Sequence, residues 1–230
     1  MRLIKNLMMA GAFASLATVA AVGTASAGVC TSEALSSYVV AGFTCTIGDK
    51  TFSDFTYSPA SNPPGAAATA AQVSVNPLGA PNYGFTFTGF WNSGFGGTGD
   101  AGLSYTVSVT SGQALIDSAV LSMVGALTGT GATGTVGETI CLNPSCSVSD
   151  ILTVSLAGSR SDSVTFAPVS TVTVMKDIDA MSSGATGTAS ISVVTNTVDQ
   201  LVPHIPEPAS LALLGTALIG FGAVRRRRKM

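Results

Sequence analysis

From residue 72 to residue 193, apolar and small polar positions alternate with a period of two, the pattern of strands that bury one face. Residues 72–75 predict a short strand. Tyr83, Phe85 and Phe87 alternate with Gly84, Thr86 and Thr88, giving one aromatic face and one small polar face. Leu103, Tyr105, Val107 and Val109 predict a clear strand, and residues 114–124 another. The series Val136, Glu138, Ile140, Leu142 and the series Leu152, Val154, Leu156 continue the pattern. Val164 with Phe166, Val172 with Val174, and Ala189, Ile191 and Val193 complete it. Glycine- and proline-rich stretches at 58–65, 93–102, 125–134 and 158–161 predict the intervening loops and turns. Near the start, Ser32 is placed to cap a short helix with Leu35, Tyr38 and Val39 on one face and Gly42 as its stop. About nine or ten short strands with frequent turns predict a mainly β fold, an antiparallel sandwich with one short N-terminal helix. The Thr/Ser/Gly texture makes a β-solenoid the second choice, but no fixed period supports it.

The two ends do not belong to that pattern. Arg2 and Lys5 precede an uncharged apolar stretch, residues 7–22, and Ala25-Ser26-Ala27 closes it. This is a signal peptide, residues 1–27, with cleavage by signal peptidase expected after Ala27. At the other end, Pro206-Glu207-Pro208 is held extended, because proline fixes φ and biases its predecessor away from helix. Residues 209–224 carry no charge and predict a transmembrane helix whose sixteen residues span roughly 24 Å. That is short of the ~30 Å hydrocarbon core of a bilayer. Arg225, Arg226, Arg227, Arg228 and Lys229 then form a cationic stop, expected to stay on the cytoplasmic side.

Pro-Glu-Pro, a glycine-containing Leu-rich run and a terminal Arg cluster, in that order, resemble the PEP-CTERM sorting signal of Gram-negative bacteria. The same tail is sometimes labelled an ice-binding-protein C-terminal domain, a name that does not establish ice binding. The resemblance implies that an exosortase recognises Pro206, Glu207 and Pro208, cleaves nearby and releases or transfers the mature protein. The inner membrane is then a transient anchor, and extracellular polysaccharide is the implied setting. Four body segments, 45–50, 52–55, 84–89 and 175–178, are also similar to bodies found upstream of such tails; they imply architecture and no catalytic residues. The expected division is residues 1–27 signal peptide, 28–198 β-sandwich domain, 199–204 linker and 205–230 sorting signal.

Removing both ends changes the charge. The whole chain carries −2, but the body keeps only Lys50, Arg160 and Lys176 against eleven acids, a formal −8. No basic patch exists, which argues against a nucleic-acid partner. All four cysteines, Cys30, Cys45, Cys141 and Cys146, follow the cleavage site, where an oxidising compartment favours disulfides. Three pairings are open; Cys30–Cys45 with Cys141–Cys146, which closes two short loops, is the expected one. A metal site is the weaker reading, since the only histidine, His204, is distant in sequence.

Candidate chemistry is sparse. Gly94, Gly96 and Gly99 have dinucleotide-fingerprint spacing, but that fingerprint opens a helix and a strand is predicted here. A Ser–His hydrolase needs a base, and His204 sits at the stem of the tail. The acids leave a carboxylate pair open without singling one out. Asp177 and Asp179 suit either a Ca²⁺ site with loop carbonyls or a solvated hairpin. Trp91, with Phe90 and Tyr83, offers a stacking platform for sugars, against the bland reading of a core tryptophan. The resulting expectation is a non-enzymatic exported surface or matrix protein without cofactor. The alternatives are a carbohydrate-binding module and, last, a secreted hydrolase.

Overall fold

The computed structural model describes residues 27–200, apart from residues 111 and 185. Ala25, the sorting motif, the apolar run and the cationic stop lie outside the described residues. Thirteen strands are described: β1 (Gly28–Val29), β2 (Glu33–Ala34), β3 (Thr44–Ile47), β4 (Lys50–Asn62), β5 (Ser74–Leu78), β6 (Tyr83–Asn92), β7 (Thr98–Val109), β8 (Ile116–Thr128), β9 (Ala132–Cys141), β10 (Ser149–Ser155), β11 (Ser161–Val169), β12 (Thr171–Ser182) and β13 (Thr188–Gln200). They form two stacked sheets. Sheet A has the order β1-β3-β4-β7-β12-β9-β10, and sheet B has β11-β8-β13-β6-β5-β2. Every pairing is antiparallel except β1 with β3. The fold is therefore mainly β and sandwich-like, as the alternation predicts.

The core lies between the sheets. Phe52 and Phe55 from β4, Phe85 and Phe87 from β6, and Tyr105 from β7 are all buried there. Phe52 meets Phe85 edge-on with ring centroids 4.7 Å apart, and Phe55 stacks on Tyr105 at 5.3 Å. Such pairs add about 0.5–1.5 kcal/mol beyond their area burial. Phe52 and Phe55 are three residues apart yet point the same way, because β4 bulges between Ser53 and Thr56 with Asp54 at φ 57°.

The helix differs from expectation. It spans only Leu35–Tyr38, its N-cap is Ala34, and no side chain caps it. Glu33 and Ala34 instead pair with Val75 and Ser74 of sheet B. The backbone upstream of Leu35 is thus committed to a ladder, and downstream the Phe43 N–H turns back to the Val40 carbonyl before β3 begins at Thr44, so the helix is one turn. Three expected loops are also partly strand. β4 runs on to Asn62 through Pro59, tolerated because β3 covers only residues 50–53 and the rest of β4 is an edge. Residues 98–102 open β7. Residues 125–128 end β8, and the turn to β9 is carried by Gly129 and Gly131 at φ 66° and 78°. Finally, β13 reaches Gln200, so residues 199 and 200 of the expected linker are strand. Gln200 earns its place by donating to Asp49 and to the Ala114 carbonyl.

Candidate functional site

Consecutive residues of β6 settle the expected sugar platform. Trp91 has no exposed surface, whereas Phe90 is 55 % exposed. The Trp91 ring enters the core, and its Nε1 donates to the Tyr57 hydroxyl at 2.9 Å. Gly89 lies on the same inner face, and a Cβ there would come within 2.7 Å of the indole. The Trp91 platform is therefore a correction: strand alternation turns Trp91 inward and Phe90 outward. Tyr83 is also engaged, with Lys50 Nζ 4.6 Å from its ring centroid. Phe90 instead borders an open groove of about 410 Å³, with Gln72, Ser74 and Thr88 supplying amide and hydroxyl groups.

The outer face of sheet A is a second surface. Thr106 of β7 and Thr173 of β12 are cross-strand neighbours, and Thr56 of β4 bonds Ser104 of β7 at 2.7 Å. At one end, Thr106, Thr171, Thr173 and Asn143 line a groove of about 630 Å³. This groove lies beside the loop closed by Cys141–Cys146. Further along, Asp177 is exposed between Gly102 and Gly137 of the flanking strands, and Asp100 pairs with Asp179. Burial first, and the Asp177 charge second, hold the Asp100 and Asp179 carboxyls above the ordinary carboxylate range. The hairpin alternative for Asp177 and Asp179 is replaced by the interior of β12. Among the described residues no three carboxylate, imidazole or thiol groups converge as a metal-ligand set.

The cysteines pair as two short loops, Cys30–Cys45 and Cys141–Cys146, and no free thiol occurs among the described residues.

A buried polar constellation lies inside the sandwich, at residues that the sequence did not mark as a site. Glu138 of β9, Lys176 of β12, Asn196 of β13 and Tyr105 of β7 are all at least nine-tenths buried. Lys176 Nζ donates to Glu138 Oε2. Asn196 Nδ2 donates to Glu138 Oε1 at 2.7 Å and to the Val120 carbonyl at 3.0 Å. The Tyr105 hydroxyl donates to Asn196 Oδ1, and Lys176 Nζ lies 5.8 Å from the Tyr105 ring centroid. Loss of solvation pushes the Lys176 amine well down and the Tyr105 phenol up. One signal was available: each of Glu138, Lys176 and Asn196 occupies an inward position between apolar residues two places away, as in Val136-x-Glu138-x-Ile140, Val174-x-Lys176-x-Ile178 and Val194-x-Asn196-x-Val198.

Residues 204–228 match the PEP-CTERM protein-sorting motif. This chain carries a PEP-CTERM tail. The match spans Pro206, Glu207, Pro208 and the four arginines, as the resemblance implies. A PEP-CTERM tail indicates export and processing by an exosortase. No curated protein matches the chain in sequence. Among solved structures, TmCBM61 in complex with β-1,4-galactotriose is similar over 63 % of this chain and 88 % of its own, at 8 % identity and TM-score 0.36. The enzymatically active domain of bacteriophage CBA120 tailspike protein 4 is similar over 61 % of this chain and 19 % of its own, at 14 % identity and TM-score 0.28. The Trichoderma harzianum endoglucanase 3 from family GH12 is similar over 64 % of this chain and 98 % of its own, at 12 % identity and TM-score 0.25. These likenesses assign neither ligand nor activity to this chain.

Proposed function

We propose that this chain is a non-enzymatic component of the cell surface or extracellular matrix, held briefly in the inner membrane by its tail and then released or transferred by an exosortase. The PEP-CTERM match at residues 204–228 carries the reading. The body suits that destination: two disulfides and a hydroxyl-rich outer sheet withstand an oxidising exterior and hydrate well. The tail's apolar run, too short for a comfortable span, suits a temporary hold. Mass spectrometry of the exported protein tests the route. The mature chain is expected to begin at Gly28 and to lack Arg225, Arg226, Arg227, Arg228 and Lys229. Deleting the exosortase is expected to leave the tail intact and the protein in the membrane fraction. An intact C-terminus in the mature pool overturns the reading.

A second reading is a carbohydrate-binding module acting on extracellular polysaccharide. Exposed Phe90 beside Gln72, Ser74 and Thr88 supports it, since an apolar ring face with flanking amide and hydroxyl groups is the chemistry that grips a pyranose. Binding to a polysaccharide array that disappears in Phe90→Ala favours this reading; turnover of the same glycans would instead favour a secreted hydrolase.

A further inference from the structure

The four buried groups around Glu138 are arranged for a reaction among themselves. A lone ion pair in a core is expensive to desolvate, and an apolar replacement is often no less stable. Here a lysine, a carboxylate and a primary amide meet in one dry site, and the carboxylate touches both nitrogens through different oxygens. The amide oxygen has its own donor in the Tyr105 hydroxyl. Every part of an amide-exchange reaction is therefore present: an amine, an amide carbon, a proton carrier between the amine and the leaving nitrogen, and a donor to the oxygen on which charge develops.

We propose that Lys176 and Asn196 join through an intramolecular isopeptide bond, formed by the chain itself with Glu138 as proton shuttle and Tyr105 as oxyanion donor. Glu138 takes one proton from the Lys176 ammonium. The freed Nζ electron pair forms a bond to Asn196 Cγ, and the carbonyl π pair moves onto Oδ1, held by the Tyr105 hydroxyl. Glu138 returns its proton to Nδ2 and takes a second from Nζ. The Cγ–Nδ2 bond breaks, its electron pair leaving with nitrogen as ammonia, and the Oδ1 pair restores the carbonyl. One ammonia is released, one proton remains on Glu138 or departs with the ammonia as ammonium, and no oxidant or cofactor is consumed. Burial supports the chemistry twice. It disfavours the ammonium form that cannot attack. It also holds Lys176 and Asn196 against the two oxygens of one carboxylate, and effective molarities of about 10⁵–10⁸ M are reached in well-oriented intramolecular reactions. The product fits the fold. β12 belongs to sheet A and β13 to sheet B, so the bond would staple the two sheets through their centre. Direct condensation of Lys176 with Glu138 is the competing link. It would make Glu138 the electrophile and leave this network without a second carboxyl to carry protons.

The test is the intact mass of the reduced, exported protein, followed by peptide mapping. The chain is expected to weigh one ammonia less than its sequence. Trypsin is expected not to cut after Lys176. An Asp-directed protease, cutting before Asp162, Asp177, Asp179 and Asp199, is expected to give a branched species joining the peptide ending in Lys176 to the peptide containing Asn196. Glu138→Gln, with both disulfides formed, is expected to restore the full mass. Should that variant fail to fold, Asn196→Asp answers instead, since its link can lose only water. Full mass in the native chain overturns the proposal and leaves a structural ion pair. Loss of water mapped to Lys176 and Glu138 also overturns it, as does ammonia loss that persists in Asn196→Asp or that still maps to Lys176 and Asn196 in Glu138→Gln.

Discussion

The indole nitrogen of Trp91 donates to the hydroxyl of Tyr57 at 2.9 Å, and Tyr57 in turn donates to the Ala68 carbonyl at 2.6 Å. β6 belongs to sheet B and β4 to sheet A, so this relay crosses the sandwich. It makes Trp91 a structural residue. Trp91→Ala is expected to cost about 3–5 kcal/mol in urea unfolding, the usual cost of emptying a large aromatic site. Phe90→Ala, one residue away and outward, is expected to shift stability by no more than about 0.5 kcal/mol. Equal losses for the two would contradict the alternation.

Gly89 supports the same site. Its Cβ would stand 2.7 Å from the Trp91 ring, which the Tyr57 bond holds in place. Gly89→Ala is expected to destabilise by about 1–3 kcal/mol, the range for overpacking. In a Trp91→Phe background the smaller ring relieves the clash, and the penalty is expected to shrink. A double-mutant cycle measures that coupling, and strict additivity would argue against it.

The disulfides differ in span, at 15 and 5 residues. Chain entropy then predicts about 3 kcal/mol for Cys30–Cys45 and about 2 kcal/mol for Cys141–Cys146. Paired Cys→Ser variants compared by denaturant midpoint are expected to rank in that order. Peptide maps without reductant should recover no alkylatable cysteine.

Asp100 gives a pH test. Burial, then Asp177, raises its carboxyl above the ordinary 3.8. A raised folded value means that the group contributes stability below its unfolded pKa and loses it as pH climbs through the folded one. Asp100→Asn removes that loss. The variant is expected to be more stable than the native chain at neutral pH, and the gap is expected to close as pH falls toward 3.8. A gap independent of pH, read from urea midpoints, would point to a cause other than charge.

Much of the fold was legible because strand alternation is a local property. Tyr83, Phe85 and Phe87, or Leu103, Tyr105 and Val107, announce their buried face within a few residues. Legibility ended at the bulges. Ala189 and Ile191 point inward, but the irregularity before Val193 moves the buried phase to Val194, Asn196 and Val198. Reading straight on through Val193 places Asn196 on the wrong face. The glycines near residue 97 misled for a related reason. Gly97 and Gly99 would carry a Cβ within 2.4 Å of a backbone oxygen, so they mark close chain approach and not flexibility.

The sequence by itself determined the sorting tail and the β class, since a terminal motif and a period of two are written locally; among three open cysteine pairings it favoured the short loops, and the structure made that choice. Tertiary structure decided which aromatic meets water and which polar groups meet one another. Glu138, Lys176 and Asn196 lie on three strands and become neighbours only when both sheets have closed over them. In sequence they are three polar residues in apolar company; what makes them a site is the register of distant strands, together with the loss of water when the sheets stack.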